Sequence, residues 1–172
     1  MMYEEVIRDF AERTRKNLAV IEKLALENSG VFETTQLVNS CLGLLVFPQQ
    51  EFMDRIPEMP LHELSKQGWP IPKTKGDFEQ VTDLKQLIRY LRNAISHFNV
   101  KFLDNGSNEI RVLRVWNDNP RTGKKTWQAE LSVSDLRKLA YMFSDLLIDF
   151  RNPDGMLQSA AISREDSDSS DS

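Results

Sequence analysis

Apolar residues recur every three or four positions in four long stretches of the chain, the spacing of one buried helix face. The pattern predicts helices near residues 3–28, 32–47, 83–98 and 134–151. The third is the most regular, and its apolar face consists of Leu84, Leu87, Ile88, Leu91, Ile95 and Phe98. We expect Thr82 to be the N-cap of this helix, with Asp83 in the first turn, and Ser134 to cap the fourth.

The first two predicted helices differ in how their apolar residues are placed. The first has a heptad-like stripe made of Tyr3, Ile7, Phe10, Ile21 and Leu24. Two polar residues, Thr14 and Asn17, fall in the same stripe, so they either form hydrogen bonds within the core or face a polar cavity. The second is apolar almost all round, which predicts either the central helix of a bundle or a helix shared with a second subunit.

After the third helix, the spacing of the apolar residues changes from the helical period to the two-residue alternation of a strand. Residues 126–133 alternate between apolar and polar, residues 109–116 are also strand-like, and residues 117–125 contain turn-forming side chains. The predicted fold is therefore mostly α, an up-and-down helical bundle with one antiparallel β-hairpin before the last helix. The proline-rich residues 48–81 have room for short helices at 50–56 and 61–67, and form either a packed cover or a functional flap.

Composition fits one globular domain of about 152 residues followed by a tail. The chain of 172 residues is 40% hydrophobic and 28% charged. Its longest apolar run, residues 41–47, is far too short to span a bilayer, and its first residues lack the features of a signal peptide. The single cysteine, Cys41, fits a reducing compartment, so we expect a cytoplasmic protein. Residues 153–172, rich in Ser and Asp, are expected to be disordered.

The charge is unevenly distributed along the chain. The net charge is -4, and the tail carries all of it, leaving 21 basic and 21 acidic residues in the body. A nucleic-acid site would therefore have to be a local concentration of charge. Residues 101–125 hold three acids and six bases, which are Lys101, Arg111, Arg114, Arg121, Lys124 and Lys125. These bases fit either RNA contact or a solvated hairpin whose charges protect its edges.

The candidate chemistry lies at the end of the third helix, in Arg92, Asn93 and His97. The planar guanidinium of an arginine can donate two hydrogen bonds at once to a phosphate. Histidine is the side chain whose unperturbed pKa lies nearest neutrality. At about 100° per residue, Arg92 and His97 point about 140° apart, whereas Asn93 and His97 are stacked at i and i+4. R-x4-H is a short motif that also occurs by chance. It fits equally simple roles, with Arg92 as a surface charge and His97 as a helix-end histidine bonded to a backbone carbonyl.

The run R-N-A-I-S-H-F at residues 92–98, closing an amphipathic helix, resembles the HEPN superfamily, and more narrowly the plasmid-associated HEPN nucleases. Residues 35–49 resemble the second helix of that group, and residues 130–136 resemble the entry to its last helix. The resemblance implies a metal-independent endoribonuclease without a cofactor, in which Arg92, Asn93 and His97 form the catalytic motif. It also implies RNA as substrate, a homodimer with the motifs at a shared cleft, and a toxin–antitoxin or host-defence setting that allows an antitoxin partner.

One departure from the group is informative, and two other functions stay open. Some HEPN toxins have a tyrosine two residues after the histidine, where a partner nucleotidyltransferase modifies them. This chain has Asn99 there, so we do not expect it to be neutralised in that way. The first alternative is a catalytically inactive HEPN module that binds RNA or a partner protein. The second is an enzyme of another class, for which the sequence offers no phosphate-binding loop, metal-ligand cluster or nucleophile elbow.

Overall fold

The part of the chain described by this computed structural model, residues 3–27, 30–48, 50–74, 80–104, 106 and 110–149, contains six helices. Three long helices pack together with a shorter amphipathic one, and two very short helices connect them. In chain order these are α1 (Tyr3–Glu27), α2 (Glu33–Val46), α3 (Gln50–Asp54), α4 (Leu61–Lys66), α5 (Leu84–Ser96) and α6 (Val133–Ile148).

An antiparallel sheet of four strands lies against α5 and α6. The strands are β1 (Lys73–Thr74), β2 (Val100–Asp104), β3 (Ile110–Asp118) and β4 (Lys125–Ser132). Their order across the sheet is β1-β4-β3-β2, so the long hairpin β3–β4 is central and the two shorter strands are edges. Alternate residues of the hairpin, including Leu113, Val115 and Trp127, are buried on the helix side.

Helix α2 is the centre of the helical layer. It packs against α1, α5 and α6, and its buried residues include Leu37, Cys41 and Leu44. The thiol of Cys41 donates to the carbonyl of Leu136 at 3.5 Å, and burial raises the pKa of this thiol to about 12. These contacts agree with the expected central place of this helix, and its sharing with a second subunit stays a prediction.

The mostly helical class is confirmed, and the four predicted long helices lie within three residues of the observed bounds wherever the ends are described. Both predicted caps are wrong. Asp83, not Thr82, caps α5, because its carboxylate accepts from the Gln86 N–H at 2.9 Å. Ser132, not Ser134, caps α6, because Asp135 lies three residues later and completes a capping box.

The expectation of a single hairpin was incomplete. Strands β3 and β4 are the predicted pair, but β2 pairs with β3 and β1 with β4, which makes a four-stranded sheet. The second expectation for residues 48–81, a functional flap, finds no support in the described part, because Phe52, Met53 and Trp69 are buried there as a packed cover. The predicted tail at 153–172 lies outside the described residues.

The predicted stripe on α1 is also partly wrong. The buried seam runs through Ile7, Ala11 and Leu18, while Asn17 is exposed and Leu24 is 43% exposed. A straight helix turns every 3.6 residues, so a strict 3.5-residue stripe drifts away from the core by about 20° per heptad. Neither role considered for Asn17, a core hydrogen bond or a polar cavity, applies to an exposed side chain.

Polar side chains fasten α1 to α6. Arg137 Nε donates to Glu22 Oε1 at 2.5 Å, Tyr141 Oη donates to Glu22 Oε2 at 2.9 Å, and Arg15 pairs with Asp145. Burial, together with the neighbouring Glu22 carboxylate, raises the pKa of Tyr141 to about 12. Burial also raises the pKa of Asp145, and this effect outweighs the nearby Arg15, which lowers it.

Within the described residues, no helix has the length and apolar character needed to cross a membrane.

Candidate functional site

The end of α5 fixes the position of His97. The last turn closes as a Schellman motif: the Phe98 N–H bonds to the Ile95 carbonyl at 3.0 Å, and the Asn99 N–H bonds to the Ala94 carbonyl at 2.8 Å. His97 is the C-cap, with its N–H on the Asn93 carbonyl at 3.1 Å, and its side chain is exposed. His97 therefore lies at the helix end, as expected, and backbone bonds before and after it hold its Cα.

His97 lines a groove of about 410 Å³ between α5 and the β3–β4 hairpin. Two other α5 side chains, Tyr90 and Asn93, share the groove, because spacings of three, four and seven residues place them on one helix face. The opposite wall and the floor consist of Asn99, Asn117, Asp118, Pro120 and Thr126. The lining is rich in amides, which offer both donors and acceptors to a ligand.

Direct contacts hold the two walls of the groove together. Asn117 Nδ2 donates to the Tyr90 carbonyl at 3.1 Å, and the Tyr90 ring meets Trp127 edge-on at 5.4 Å between centroids. The backbone N–H of Trp116 donates to the backbone carbonyl of Asn99 at 3.1 Å, which connects the segment after α5 to β3. The groove is thus a built feature of the fold rather than a gap between two loosely packed elements.

Three of the six predicted basic residues lie in or beside the hairpin turn that supplies Pro120 to the groove. Arg121, Lys124 and Lys125 are all exposed there. The turn is well defined, since the Asn119 N–H bonds to the Lys124 carbonyl at 2.8 Å and the Asn119 side chain accepts from the Arg121 N–H at 2.9 Å. Lys125 Nζ lies 5.0 Å from the centroid of the Trp116 ring. These positive charges flank the groove at the hairpin end.

The other three predicted bases lie on the strands. Arg114 is paired with Glu130 across β3 and β4 at 2.6 Å, and Lys101 is its neighbour in register on β2. Arg111 is exposed on β3. An ion pair that already satisfies a guanidinium leaves it less available to a phosphate, so the groove-side bases are the stronger candidates for RNA contact.

Arg92 does not line the groove that contains Asn93 and His97. It is half-buried on α5, in agreement with the angle of about 140° expected between Arg92 and His97 on a regular helix. Within one chain, the structure brings Asn93 and His97 together and leaves Arg92 on another side of the helix. Among the described residues, no group of three or more His, Cys, Asp or Glu side chains is placed to hold a metal ion.

Sequence reasoning missed several groove residues, including Tyr90, Asn117 and Thr126. Tyr90 was accessible from the pattern, because it precedes His97 by seven residues and Asn93 by three. Asn117 and Thr126 were not, because their place in the groove depends on how the hairpin packs against α5. No local spacing reports such a long-range contact.

One of three comparisons with known proteins gave a match. The model of one family, described as HEPN pEK499 p136, matches residues 1–154. No curated protein and no solved structure is significantly similar to the chain.

Proposed function

Since the chain belongs to the HEPN pEK499 p136 family, a plasmid-associated branch of the HEPN superfamily, we propose that it is a metal-independent endoribonuclease. The observation that carries the proposal is the placement of His97, an exposed histidine held at a helix end inside a polar groove flanked by positive charge. The groove offers a proton-transfer group and amides, and cations lie near it. Together these groups suit the phosphodiester backbone and the nucleobases of RNA.

RNA carries its own nucleophile, so the reaction needs few groups from the protein. His97 takes the proton of the 2'-hydroxyl, and that oxygen attacks the adjacent phosphorus. The bond from phosphorus to the 5'-oxygen breaks, and the leaving oxygen takes a proton from water, to which His97 then returns the proton that it accepted. The products are a 2',3'-cyclic phosphate and a free 5'-hydroxyl. Asn93, which lines the same groove, orients the phosphate or the imidazole.

The negative charge that develops on the phosphate requires a cation, and Arg92 is the candidate of the motif. Because Arg92 does not line its own chain's groove, we assign it to the groove of a second copy. In a two-fold dimer, each groove then combines His97 of one copy with Arg92 of the other, and the motifs meet at a shared cleft. Arg121, Lys124 and Lys125 contact the RNA backbone beside the cleft.

The same geometry favours one alternative, a catalytically inactive HEPN module that binds RNA or a partner protein. A chain whose Arg92 and His97 never meet would keep a polar, partly basic groove without the charge stabilisation that cleavage needs. The two functions differ in one measurable property, which is whether RNA bound in the groove is cut.

The test is cleavage of labelled total RNA by the purified protein in EDTA. His97→Ala should lower the rate by about 10²- to 10⁴-fold because proton transfer is lost. Arg92→Ala should cost about 10²- to 10³-fold, and Arg92→Lys should restore little, because an ammonium lacks the planar fork. The double variant should be scarcely slower than the slower single variant, since groups acting in one step are non-additive.

The chain offers matched controls for both positions. His62→Ala removes the other histidine, which is exposed on α4 beside Glu63, and Arg89→Ala removes an exposed arginine one turn before Arg92. Both should cleave at the wild-type rate and leave cyclic phosphate ends. Undiminished cleavage by a folded His97→Ala protein would refute the mechanism. RNA affinity without any cleavage would establish the binding module instead.

We also place this activity in a toxin–antitoxin or host-defence setting. A cell that expresses an active ribonuclease without its control stops growing. Induced expression of the wild-type chain should therefore arrest bacterial growth, whereas the His97→Ala variant should not. Equal growth of both strains at equal protein levels would count against this setting.

A further inference from the structure

Phe98 has a backbone conformation that its residue type disfavours. Its φ is 58°, and it is the only residue other than glycine with a positive φ among those the structure describes. In this region the Cβ of an L-residue is crowded by the following carbonyl oxygen, which is why glycine usually occupies this position of a Schellman motif. The other positive-φ positions of the described chain, Gly68, Gly106 and Gly123, are indeed glycines.

The side chain of Phe98 does not recover this cost by packing. It is 88% exposed, so its predicted place on the buried face of the third helix is wrong, whereas Leu91 and Ile95 of that face are buried. A glycine would close the helix with less strain, and a polar residue would be better solvated. The Schellman closure of α5 requires the positive φ, but folding does not explain why a phenylalanine occupies this position or why its ring is exposed to solvent.

The location of the ring suggests what it is for. Phe98 lies between His97 and Asn99, and both of these line the groove. Amides of Asn93 and Asn99 suit the hydrogen-bonding edges of a nucleobase, whereas the aromatic ring that lines the groove, Tyr90, is packed edge-on against Trp127. Proteins that bind single-stranded nucleic acid stack its bases on exposed aromatic side chains, and beside this groove the exposed ring is Phe98.

We propose that the Phe98 ring stacks on an unpaired base of a single-stranded RNA whose backbone passes His97. The inference rests on the proposed function and adds the substrate class, since bases inside a duplex are already stacked on one another and are not free to take the ring. Stacking would place the sugar and phosphate next to that base against the imidazole. Phe98 is therefore a positioning residue, and it takes no part in proton transfer.

A second copy of this chain is a less suitable occupant for Phe98. Aromatic residues that anchor protein interfaces sit in desolvated pockets and are surrounded by other contacts that exclude water. The sequence neighbours of Phe98 are the exposed Ser96 and His97 on one side and Asn99 on the other. A ring whose sequence neighbours are polar matches a small planar ligand better than a dry interface.

The test compares binding of a fluorescein-labelled single strand of about twelve nucleotides, made resistant to cleavage by 2'-O-methyl groups. Phe98→Gly removes the ring and relieves the backbone, so it should fold at least as stably as the wild type. It should weaken binding by roughly 5- to 100-fold, the range for losing one stacked base. Phe98→Trp should retain binding, and Phe32→Ser, which removes a ring 75% exposed at the start of α2, should leave it unchanged.

The design separates this inference from the proposed function. A strand with one abasic position, moved along the sequence, should reveal a site at which the wild type and Phe98→Gly bind equally. If the wild type cleaves RNA in a His97-dependent way but Phe98→Gly binds with less than about a twofold loss, the stacking role is wrong and the ribonuclease stands. If the wild type binds no single strand, both are wrong. Loss of the dimer in Phe98→Gly would assign the ring to an interface and overturn the inference.

Discussion

The assignment of Arg92 and His97 to different copies of the chain can be tested by mixing two inactive variants. Arg92→Ala keeps His97, and His97→Ala keeps Arg92. A heterodimer of the two, purified through a different tag on each copy, contains one groove that has lost both residues and one that has kept both. This outcome follows from the two-fold symmetry alone, provided that Arg92 acts outside its own groove, as its place on α5 indicates.

The expected magnitudes differ enough to decide the question. Each homodimeric variant should cleave at about 10⁻² of the wild-type rate or less. The heterodimer, with one intact site of two, should reach about half the wild-type rate per dimer. If both residues instead act within one chain, each groove of the heterodimer lacks one of them, and the rate stays at the level of the single variants.

The assay is cleavage of a labelled RNA by the tandem-purified heterodimer. A heterodimer of Arg92→Ala with the double variant, which lacks any intact groove, is the control and should stay inactive. A heterodimer of the two single variants that dimerises normally but cleaves no faster than this control would refute the arrangement. A purely monomeric protein in sedimentation at micromolar concentration would remove its premise.

Two further predictions concern the elements that support the site. Asp83→Ala should lower the free energy of unfolding by about 1 kcal/mol and the Tm by about 2–4 °C, because α5 loses its N-cap; circular dichroism measures this, and Asp83→Asn, which keeps an acceptor, should be close to wild type. Cys41 should resist thiol reagents in the native protein, because burial holds the pKa of its thiol at about 12 while a free thiol ionises near 9.0. Its contribution to stability should be complete below about pH 9 and be lost as the pH rises towards 12, since only the unfolded thiol ionises there; Cys41→Ala should reduce this alkaline loss in urea titrations, and an unchanged loss would contradict the argument.

The long helices could be predicted from sequence because each carries its signal locally. Apolar residues three and four positions apart predict the buried face of α5. The same helical geometry predicts that Arg92 and His97 point in different directions. The caps were missed by one or two residues, since Thr82 and Asp83, or Ser132 and Ser134, are all good cap residues. Only the hydrogen bonds to Gln86 and Asp135 distinguish them.

The sheet edges and the groove were beyond the reach of local patterns. Strand β1 has two residues, and β2 has five with a mixed exposure pattern, so neither shows clear alternation. Their pairing is determined by β3 and β4, which supply the hydrogen bonds. The groove arises from a contact between α5 and a hairpin some twenty residues later, and the φ of Phe98 follows from how α5 must turn into β2. Non-local packing decides each of these features.

The contacts of Glu22 with Arg137 and Tyr141, which join α1 to α6, have a consequence for the order in which the chain can fold during synthesis. More than a hundred residues separate the end of α1 from the start of α6, and a ribosome needs roughly 5 to 20 seconds to make them. During that interval α1 and α2 lack the helix that covers them, and α5 is completed before that helix begins. The nascent chain therefore passes through a period in which α5 is made and the scaffold that holds it is incomplete, so the fold is completed only after α6 has been synthesised.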